Sequence, residues 1–217
     1  MLFRSFFLIG KRGAKPFQLT DLATARFASV AEVPTPWLCL QQDLRDTGLD
    51  PAKLSRISDR TMAQNYDALR RGELDVMQAF EPFVSMAQAD KAGEVLYTAS
   101  TRGPTAYTAF IATREACEKN RDAFAAMTRA TARMLAWIYA NPAEELAMAV
   151  CDFFPDVSVE ILGRSIQRYR HADLWSTETK MNRKGFDRLG QSLQSGGFIA
   201  SLPSYDACVE PMLNDVK

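Results

Sequence analysis

Two loops of the sequence carry the residue types best suited to holding a small ligand. The first, residues 31–37 (AEVPTPW), follows a short apolar run and leads into an amphipathic stretch. Thr35 is predicted as the N-cap and Pro36 as the first residue of a helix that begins there. A helix start offers unpaired amide groups and the positive end of the helix dipole, which attract anionic or carbonyl-bearing ligands. We therefore predict that Glu32, Thr35, Pro36 and Trp37 bind a ligand.

The second loop, residues 79–83 (AFEPF), places one carboxylate between aromatic side chains at the end of an apolar run. Glu81 could accept hydrogen bonds from an amine or a ring N–H group of a ligand. Tyr107 opens a later strand and offers a stacking face with one hydroxyl group. Glu81 and Tyr107 complete the predicted ligand-binding set. A carboxylate in the pocket favours an amine-bearing or ring N–H ligand over a bare sulfonate, because like charges repel.

Each of these residues also has a purely structural interpretation. Thr35 could cap a scaffold helix, and Trp37 could pack inward from it. Glu81 could serve as a first-turn acid that the helix dipole favours. Tyr107 could fill a hinge between two parts of the chain. The sequence leaves both interpretations open for every one of these side chains.

Catalytic, metal and cofactor chemistry find no support in the sequence. His171 is the only histidine, and it lacks the partners of a catalytic triad. The four cysteines, Cys39, Cys117, Cys151 and Cys208, are scattered without metal-ligand spacing and are expected to be free thiols. No GxSxG, HExxH, P-loop or GxGxxG motif occurs. We predict no catalytic residue, no metal site and no cofactor.

Charge and composition narrow the class of partner. The 217 residues contain 26 Lys and Arg against 26 Asp and Glu, so nucleic acid and anionic membranes are disfavoured partners. No run approaches the roughly eighteen apolar residues of a spanning helix, and SFFLIG near the start is short for a secretory signal. With 47% apolar residues the chain can bury a core.

The elements that must position the two loops alternate regularly through the first hundred residues. Strands are predicted at residues 2–9, 27–30, 54–58, 75–80 and 94–99, with helices after the second, third and fourth of them. This alternation predicts an α/β fold with a parallel sheet and right-handed crossovers. Such a sheet brings both loops to one edge.

The second half of the sequence is predicted to be mainly helical. One strand at 106–113 precedes helices beginning near Arg121, at Asn141 as N-cap with Pro142 and Glu144, at Ser158, near 178, and within SYDACVEPML. These helices have more apolar faces than two strands can cover. We therefore expect a further covering surface, either a partner or an N-terminal segment that precedes this chain.

The succession of these motifs resembles one family. FxLxDLAxxRFASV, TGLDP, NYDALRRGELDVMQAFEPF, YTAFIAT, ANPAEE and RYRHADLW occur in the order seen in solute-binding proteins of ABC importers. The nearest group is the one whose members take up sulfonates, taurine, nitrate or pyrimidine precursors of thiamine. The resemblance covers nearly the whole chain, and its specificity lies in the order of the motifs.

This resemblance implies a periplasmic-binding fold of the second type that closes around a small ligand. Residues 18–104 would form a complete α/β lobe. Residues 1–12 and 106–217 would form the hinge strands and the helical, incomplete remainder of the first lobe. The implied partners are a small organic solute and an importer permease, in the periplasm, although this chain shows no signal peptide. Self-association through the exposed apolar helix faces is a further expectation.

Two other functions remain open on the same resemblance. A pyrimidine-precursor synthase of this fold would be an enzyme, but its histidine and cysteine-rich motif are not recognisable here. A sensory effector-binding domain is the second, and the chain offers no helix-turn-helix or basic face to support it.

Overall fold

Apolar runs in the first hundred residues form a five-stranded sheet. The computed structural model describes residues 2–3 and 6–210. The strands are β1 (Leu2–Phe3), β2 (Phe7–Gly10), β3 (Phe27–Ala28), β4 (Arg56–Ile57), β5 (Val76–Ala79), β6 (Glu94–Thr98) and β7 (Ala106–Thr108). The α-helices are α1 (Thr35–Asp46), α2 (Met62–Arg70), α3 (Phe83–Ala89), α4 (Arg114–Lys119), α5 (Arg121–Ala140), α6 (Ala143–Val150), α7 (Val159–His171), α8 (Arg183–Ser195) and α9 (Tyr205–Cys208). Short 3-10 helices lie at Leu19–Ala23, Pro51–Lys53, Ala99–Arg102 and Cys151–Phe153.

The chain divides into two units, which we describe separately. The sheet unit contains residues 6–102 and 192–200, and the helical unit contains residues 2–3, 103–191 and 201–210. The division at residue 102 lies close to the predicted lobe boundary at 104. Residues 6–12 and 192–200 are the exceptions, because they belong to the sheet unit and not to the part, 1–12 and 106–217, to which they were assigned. The assignment of lobes and hinge stays a prediction.

The sheet has the strand order β4-β3-β5-β2-β6. β3 pairs in parallel with β4 and β5, whereas β2 lies antiparallel between β5 and β6. The four strands β3 to β6 therefore point the same way, which confirms the predicted α/β arrangement, and the inserted β2 makes the sheet mixed. Gly10 permits this insertion, since a Cβ atom there would lie 2.2 Å from the Asp75 carbonyl oxygen.

The predicted strand at 2–9 is two strands in two different sheets. Leu2–Phe3 pairs with β7 in the helical unit, while Phe7–Gly10 enters the centre of the five-stranded sheet. The side chains from Phe6 to Ile9 are almost fully buried. Continuous apolar character of this kind is typical of a central strand that is covered on both faces.

Helix α1 begins one residue before its predicted start. Pro34 already has helical backbone angles (φ −76°, ψ −28°) and takes the N-cap position, so Thr35 is the first helical residue and Pro36 the second. The prediction of Thr35 as N-cap is therefore wrong. The end is as predicted, because Gly48 follows the helix with φ +83°, a conformation that favours glycine. Leu40 and Leu44 are fully buried, whereas Trp37 is half-buried.

The helical unit also departs from its predicted boundaries. β7 ends at Thr108 instead of 113, and Phe110 and Ile111 beyond it are 76% and 95% exposed. On α5 the buried positions are Leu135 and Ile138, while Met134 is exposed. Helix α8 starts at Arg183 instead of near 178.

Of the two helix caps predicted in the helical unit, one is confirmed and one is wrong. Ser158 caps α7 as predicted, accepting a hydrogen bond from the Ile161 amide at 3.2 Å. Asn141 is instead the C-cap of α5, with its side chain donating to the Trp137 carbonyl at 2.8 Å, so no capping box with Glu144 forms. The core of this part joins α5, α6 and α7 through Ile138, Ala143, Leu146, Ala147, Leu162 and Ile166.

The cysteines are free thiols, with Cys39 buried and Cys208 exposed. Within the described ranges, none of the helices has both the length and the apolar character required to cross a lipid bilayer.

A buried ion pair joins α1 to the end of the sheet unit. Arg102 donates to Asp43, and their side chains are only 8% and 9% exposed. The Tyr97 hydroxyl donates to the same carboxylate at 2.9 Å, and burial together with the Asp43 charge raises the pKa of Tyr97 to about 12. Burial lowers the pKa of Arg102, but the neighbouring Cys39, Asp43 and Tyr97 outweigh it and raise that pKa. The guanidinium therefore stays charged.

Removing one partner of this pair should destabilise the sheet unit strongly. Asp43→Ala leaves the Arg102 charge buried without compensation, so we expect a loss of roughly 3–5 kcal/mol in the free energy of unfolding. Glu73→Ala is the matched control, because its pair with Arg71 is more than half exposed, and it should leave the free energy of unfolding nearly unchanged. Urea denaturation measures both. Equal losses in the two variants would contradict a structural role for the buried pair.

Candidate functional site

The carboxyl ends of three parallel strands create one edge of the sheet, and we call its two central loops the rim. The rim consists of residues 29–34, which lead from β3 to α1, and 80–82, which lead from β5 to α3. β3 and β5 are parallel neighbours, so the two loops share an edge, as predicted. From β3 the chain continues to β4, towards one end of the strand order, and from β5 it continues to β6, towards the other end. Right-handed connections then place α1 and α3 on opposite faces.

Open α/β sheets bind their ligands at the point where successive connections run in opposite directions along the sheet. The two helices diverge on either side of the sheet and leave a crevice beyond the strand ends. In this protein the reversal lies between β3 and β5, at the rim.

Buried polar side chains hold the rim in place. Ser29 and Gln78 are both inaccessible to solvent. The Gln78 amide group donates to the Pro36 carbonyl at 2.9 Å, and its oxygen accepts from the Val30 amide at 3.3 Å. One side chain on β5 thereby fixes both the exit of β3 and the first turn of α1.

Arg56 brings a cation to this cluster. Its guanidinium donates to the Ser29 hydroxyl at 2.8 Å and lies 4.3 Å from the centre of the Trp37 ring. Burial lowers the pKa of Arg56, and no described carboxylate lies within ion-pair distance of it. A half-buried cation of this kind favours an anion nearby. Sequence reasoning missed Arg56, although an arginine within the apolar run LSRIS is an available signal.

The two predicted carboxylates are engaged with helix starts. Glu32 accepts from the Met62 amide at 2.7 Å, at the first residue of α2, and from the Ala31 amide at 3.2 Å. Glu81 accepts from the amide of Ser85 at 2.9 Å and from its hydroxyl at 3.0 Å, within the first turn of α3. Both geometries match the structural interpretation. A ligand role for Glu32 and Glu81 stays a prediction.

The start of α1 is left open by comparison. Pro34 at its N-cap provides no side-chain acceptor, and within the first turn the Pro36 carbonyl accepts from the Gln78 amide group. Thr35 and Trp37 are half-buried and Pro36 is buried. Trp37 also packs on Phe27 of β3, with ring centres 6.2 Å apart. These three residues therefore lie together at the rim, beside Arg56.

Tyr107 belongs to the helical unit, where it lies half-buried in β7. The structure does not bring it together with the rim within one unit, so its ligand role is a separate prediction. His171 and Trp175 lie in the helical unit as well. Trp175 packs edge-on against Tyr169, with ring centres 5.5 Å apart.

An open groove of about 670 Å³ lies on the helical unit. Glu144 of α6 and several residues of α7, among them Gly163, Arg164 and His171, line it. Acidic and basic side chains alternate along its walls, and Arg164 pairs with Glu160 at 2.7 Å. The groove has none of the buried polar contacts that organise the rim.

Comparison with known proteins shows where this fold recurs. The sequence profile of the NMT1-like family matches residues 9–152. YtlA of Bacillus subtilis (strain 168), described as a candidate binding protein, is 23% identical over 205 residues. The match covers 94% of this chain, and this chain spans 61% of the length of YtlA.

Solved structures show the same architecture. The ligand-binding component of an ABC-type import system from Staphylococcus aureus superposes with a TM-score of 0.71 at 17% identity, over 100% of this chain and 72% of that one. The periplasmic aliphatic sulphonate binding protein SsuA from Escherichia coli gives 0.70 at 15% identity, over 95% and 65%. At these identities the likeness establishes the fold, that of periplasmic binding proteins.

The same fold also supports catalysis. The desulfurization enzyme DSZB superposes with a TM-score of 0.59 at 11% identity, over 99% of this chain and 76% of that one. The fold alone therefore does not separate a binding protein from an enzyme.

The two carboxylates give a test of their structural role. Glu32→Ala and Glu81→Ala each remove the acceptor of an N–H group in the first turn of a helix. We expect each to lower the free energy of unfolding by about 0.5–2 kcal/mol without added ligand, as other N-terminal caps do. Glu94→Ala is the control, because this glutamate is exposed and its side chain accepts from the Gln88 amide group at 3.0 Å instead of from an N–H group of a helix start. Unchanged stability in urea for both rim variants would assign the carboxylates to another role.

Proposed function

This chain belongs to the NMT1-like family, and we propose that it is a solute-binding protein that holds a small organic anion at the rim for an ABC importer. The observation that carries the proposal is Arg56, a half-buried cation without a carboxylate partner among the described residues, at the strand reversal. The match to YtlA supports a binding function.

The charge of the ligand follows from how the rim residues are used. Glu81, which favoured an amine-bearing ligand in the sequence, accepts from Ser85, so its charge already stabilises the start of α3. Arg56 and the amide groups at the start of α1 present positive potential instead. A sulfonate or another acid group would receive charge-assisted hydrogen bonds there. This favours a sulfonate-like ligand over a pyrimidine precursor of thiamine.

Trp37 adds an apolar surface to the proposed site. Its ring packs between Phe27 and the Arg56 guanidinium, which fixes the orientation of the cation. We propose that the anionic head group of the solute lies against Arg56 and its organic part lies near the Trp37 ring. Sites of this kind combine one charged contact with aromatic surface.

The partners and the compartment belong to the same proposal. An importer permease and a periplasmic location are carried over from the relatives that the chain resembles. Self-association is proposed through apolar side chains that α5 and α6 expose, namely Met134, Trp137 and Met148.

The enzyme alternative rests on the structural likeness to DSZB. Cys39, the only cysteine of residues 6–102, is almost fully buried, and burial raises the pKa of its thiol. A protonated, enclosed thiol is a poor nucleophile. We therefore propose binding without turnover.

Arg56→Gln should weaken the binding of a small sulfonate. With 2-hydroxyethanesulfonate as the probe, we expect the dissociation constant to rise at least about tenfold, because a hydrogen bond to a charged group is worth about 1.5–3 kcal/mol. Arg26→Gln is the control, since that arginine is exposed and pairs with Asp75 at 2.6 Å. Isothermal titration measures both variants. Unchanged affinity in Arg56→Gln would overturn the assigned site.

Absence of turnover has its own test. When 2-hydroxyethanesulfonate is incubated with stoichiometric protein, we expect mass spectrometry to recover it unchanged. The same incubation with Cys39→Ser is the control for chemistry at the one cysteine of this region. A product that forms with the wild type and not with Cys39→Ser would establish the enzyme alternative.

A further inference from the structure

A buried side chain next to Arg56 carries an inference that rests on the proposed function. Asn65 of α2 is fully buried, and its amide nitrogen donates to the Ser29 carbonyl at 3.4 Å. Its oxygen Oδ1 is also buried and accepts no hydrogen bond from any described residue. Buried acceptors are rarely left without a donor.

The orientation of the Asn65 amide is fixed by its neighbour. The Ser29 carbonyl can only accept, so the NH₂ group of Asn65 must face it. Turning the amide over would bring two acceptor oxygens together. Oδ1 is consequently directed away from Ser29, where no described residue donates to it.

Ser29 also connects this acceptor with the proposed anion site. Its hydroxyl accepts from Arg56 at 2.8 Å, while its carbonyl accepts from Asn65 at 3.4 Å. Both partners therefore contact one residue, directly after β3. The rim presents a cation on one side of Ser29 and a neutral acceptor on the other.

We propose that Asn65 determines ligand specificity by accepting a hydrogen bond from an N–H or O–H group of the bound anion. The ligand class is then an organic acid, such as a sulfonate, that carries a donor group a few bonds from its acid group. A donor-free acid of the same shape forgoes this hydrogen bond and binds more weakly than a donor-bearing one. Because Asn65 is neutral, hydroxyl and amino donors are both accepted.

Three probes of equal shape test this assignment. They are 2-hydroxyethanesulfonate, 2-aminoethanesulfonate and 1-propanesulfonate, which place O–H, N–H or a methyl group at the same position. Isothermal titration of the wild-type chain should show that the two donor-bearing probes bind about tenfold tighter than 1-propanesulfonate, as one buried hydrogen bond predicts. Equal affinity for all three would overturn the role of Asn65. That result is expected if a bound water already satisfies Oδ1.

Substitutions test whether Asn65 causes the preference for the donor-bearing probes. Asn65→Leu keeps the side-chain size and removes the acceptor, so the preference should disappear while the affinity for 1-propanesulfonate stays within about twofold. Gln42→Leu, an amide-to-leucine change at an exposed contact with Asp46 on α1, should keep the preference. If Asn65→Leu does not fold, Asn65→Ala and the wild-type comparison still decide. If none of the three probes binds the wild type, the proposed sulfonate-binding function itself is contradicted.

Discussion

The parallel pairing of β3 with β5 is the constraint on which the proposed site depends. It aligns Phe27 with Val76 and Ala28 with Met77, so the ends of the two strands lie within two residues of each other at the same edge of the sheet. Because one strand continues towards β4 and the other towards β6, the following helices diverge and leave the crevice at their starts. Gln78, buried in β5, then ties the first turn of α1 to this edge.

The electrostatic potential at the rim depends on which helix starts already have a side-chain acceptor for their amide groups. The first turns of α2 and α3 receive carboxylates of this chain, from Glu32 and Glu81. The start of α1 has a proline at its N-cap and receives no side-chain cap. Arg56 lies beside that start, with no carboxylate among residues 2–3 and 6–210 paired to it, so positive potential is concentrated there. The proposed site therefore selects acids by charge, and the neutral Asn65 oxygen is its proposed second criterion.

The order of elements could be predicted from the sequence, but several of their ends could not. The strands at 27–30, 54–58, 75–80 and 94–99 each contain an observed strand, and Ser158 marks the start of a helix as expected. Thr35 is not the cap of α1, because Pro34 before it already has helical backbone angles and takes the N-cap position. Asn141 is not the cap of the following helix, because it is the C-cap of α5. The strand predicted at 2–9 fails because its two halves find partners in different sheets.

The sequence by itself determined the alternation of strands and helices and the absence of familiar catalytic motifs. These features depend on residue spacing and on contacts a few residues apart, which a single chain segment encodes. Only the tertiary structure decided which polar groups remain available for a ligand. Glu32 meets Met62, Glu81 meets Ser85, and Arg56 and Asn65 both meet Ser29. The hydrogen bonds from Arg56 and from Asn65 to Ser29 join residues that are 27 and 36 positions apart in the sequence. The chain must therefore fold before these groups can pair or remain available for a solute.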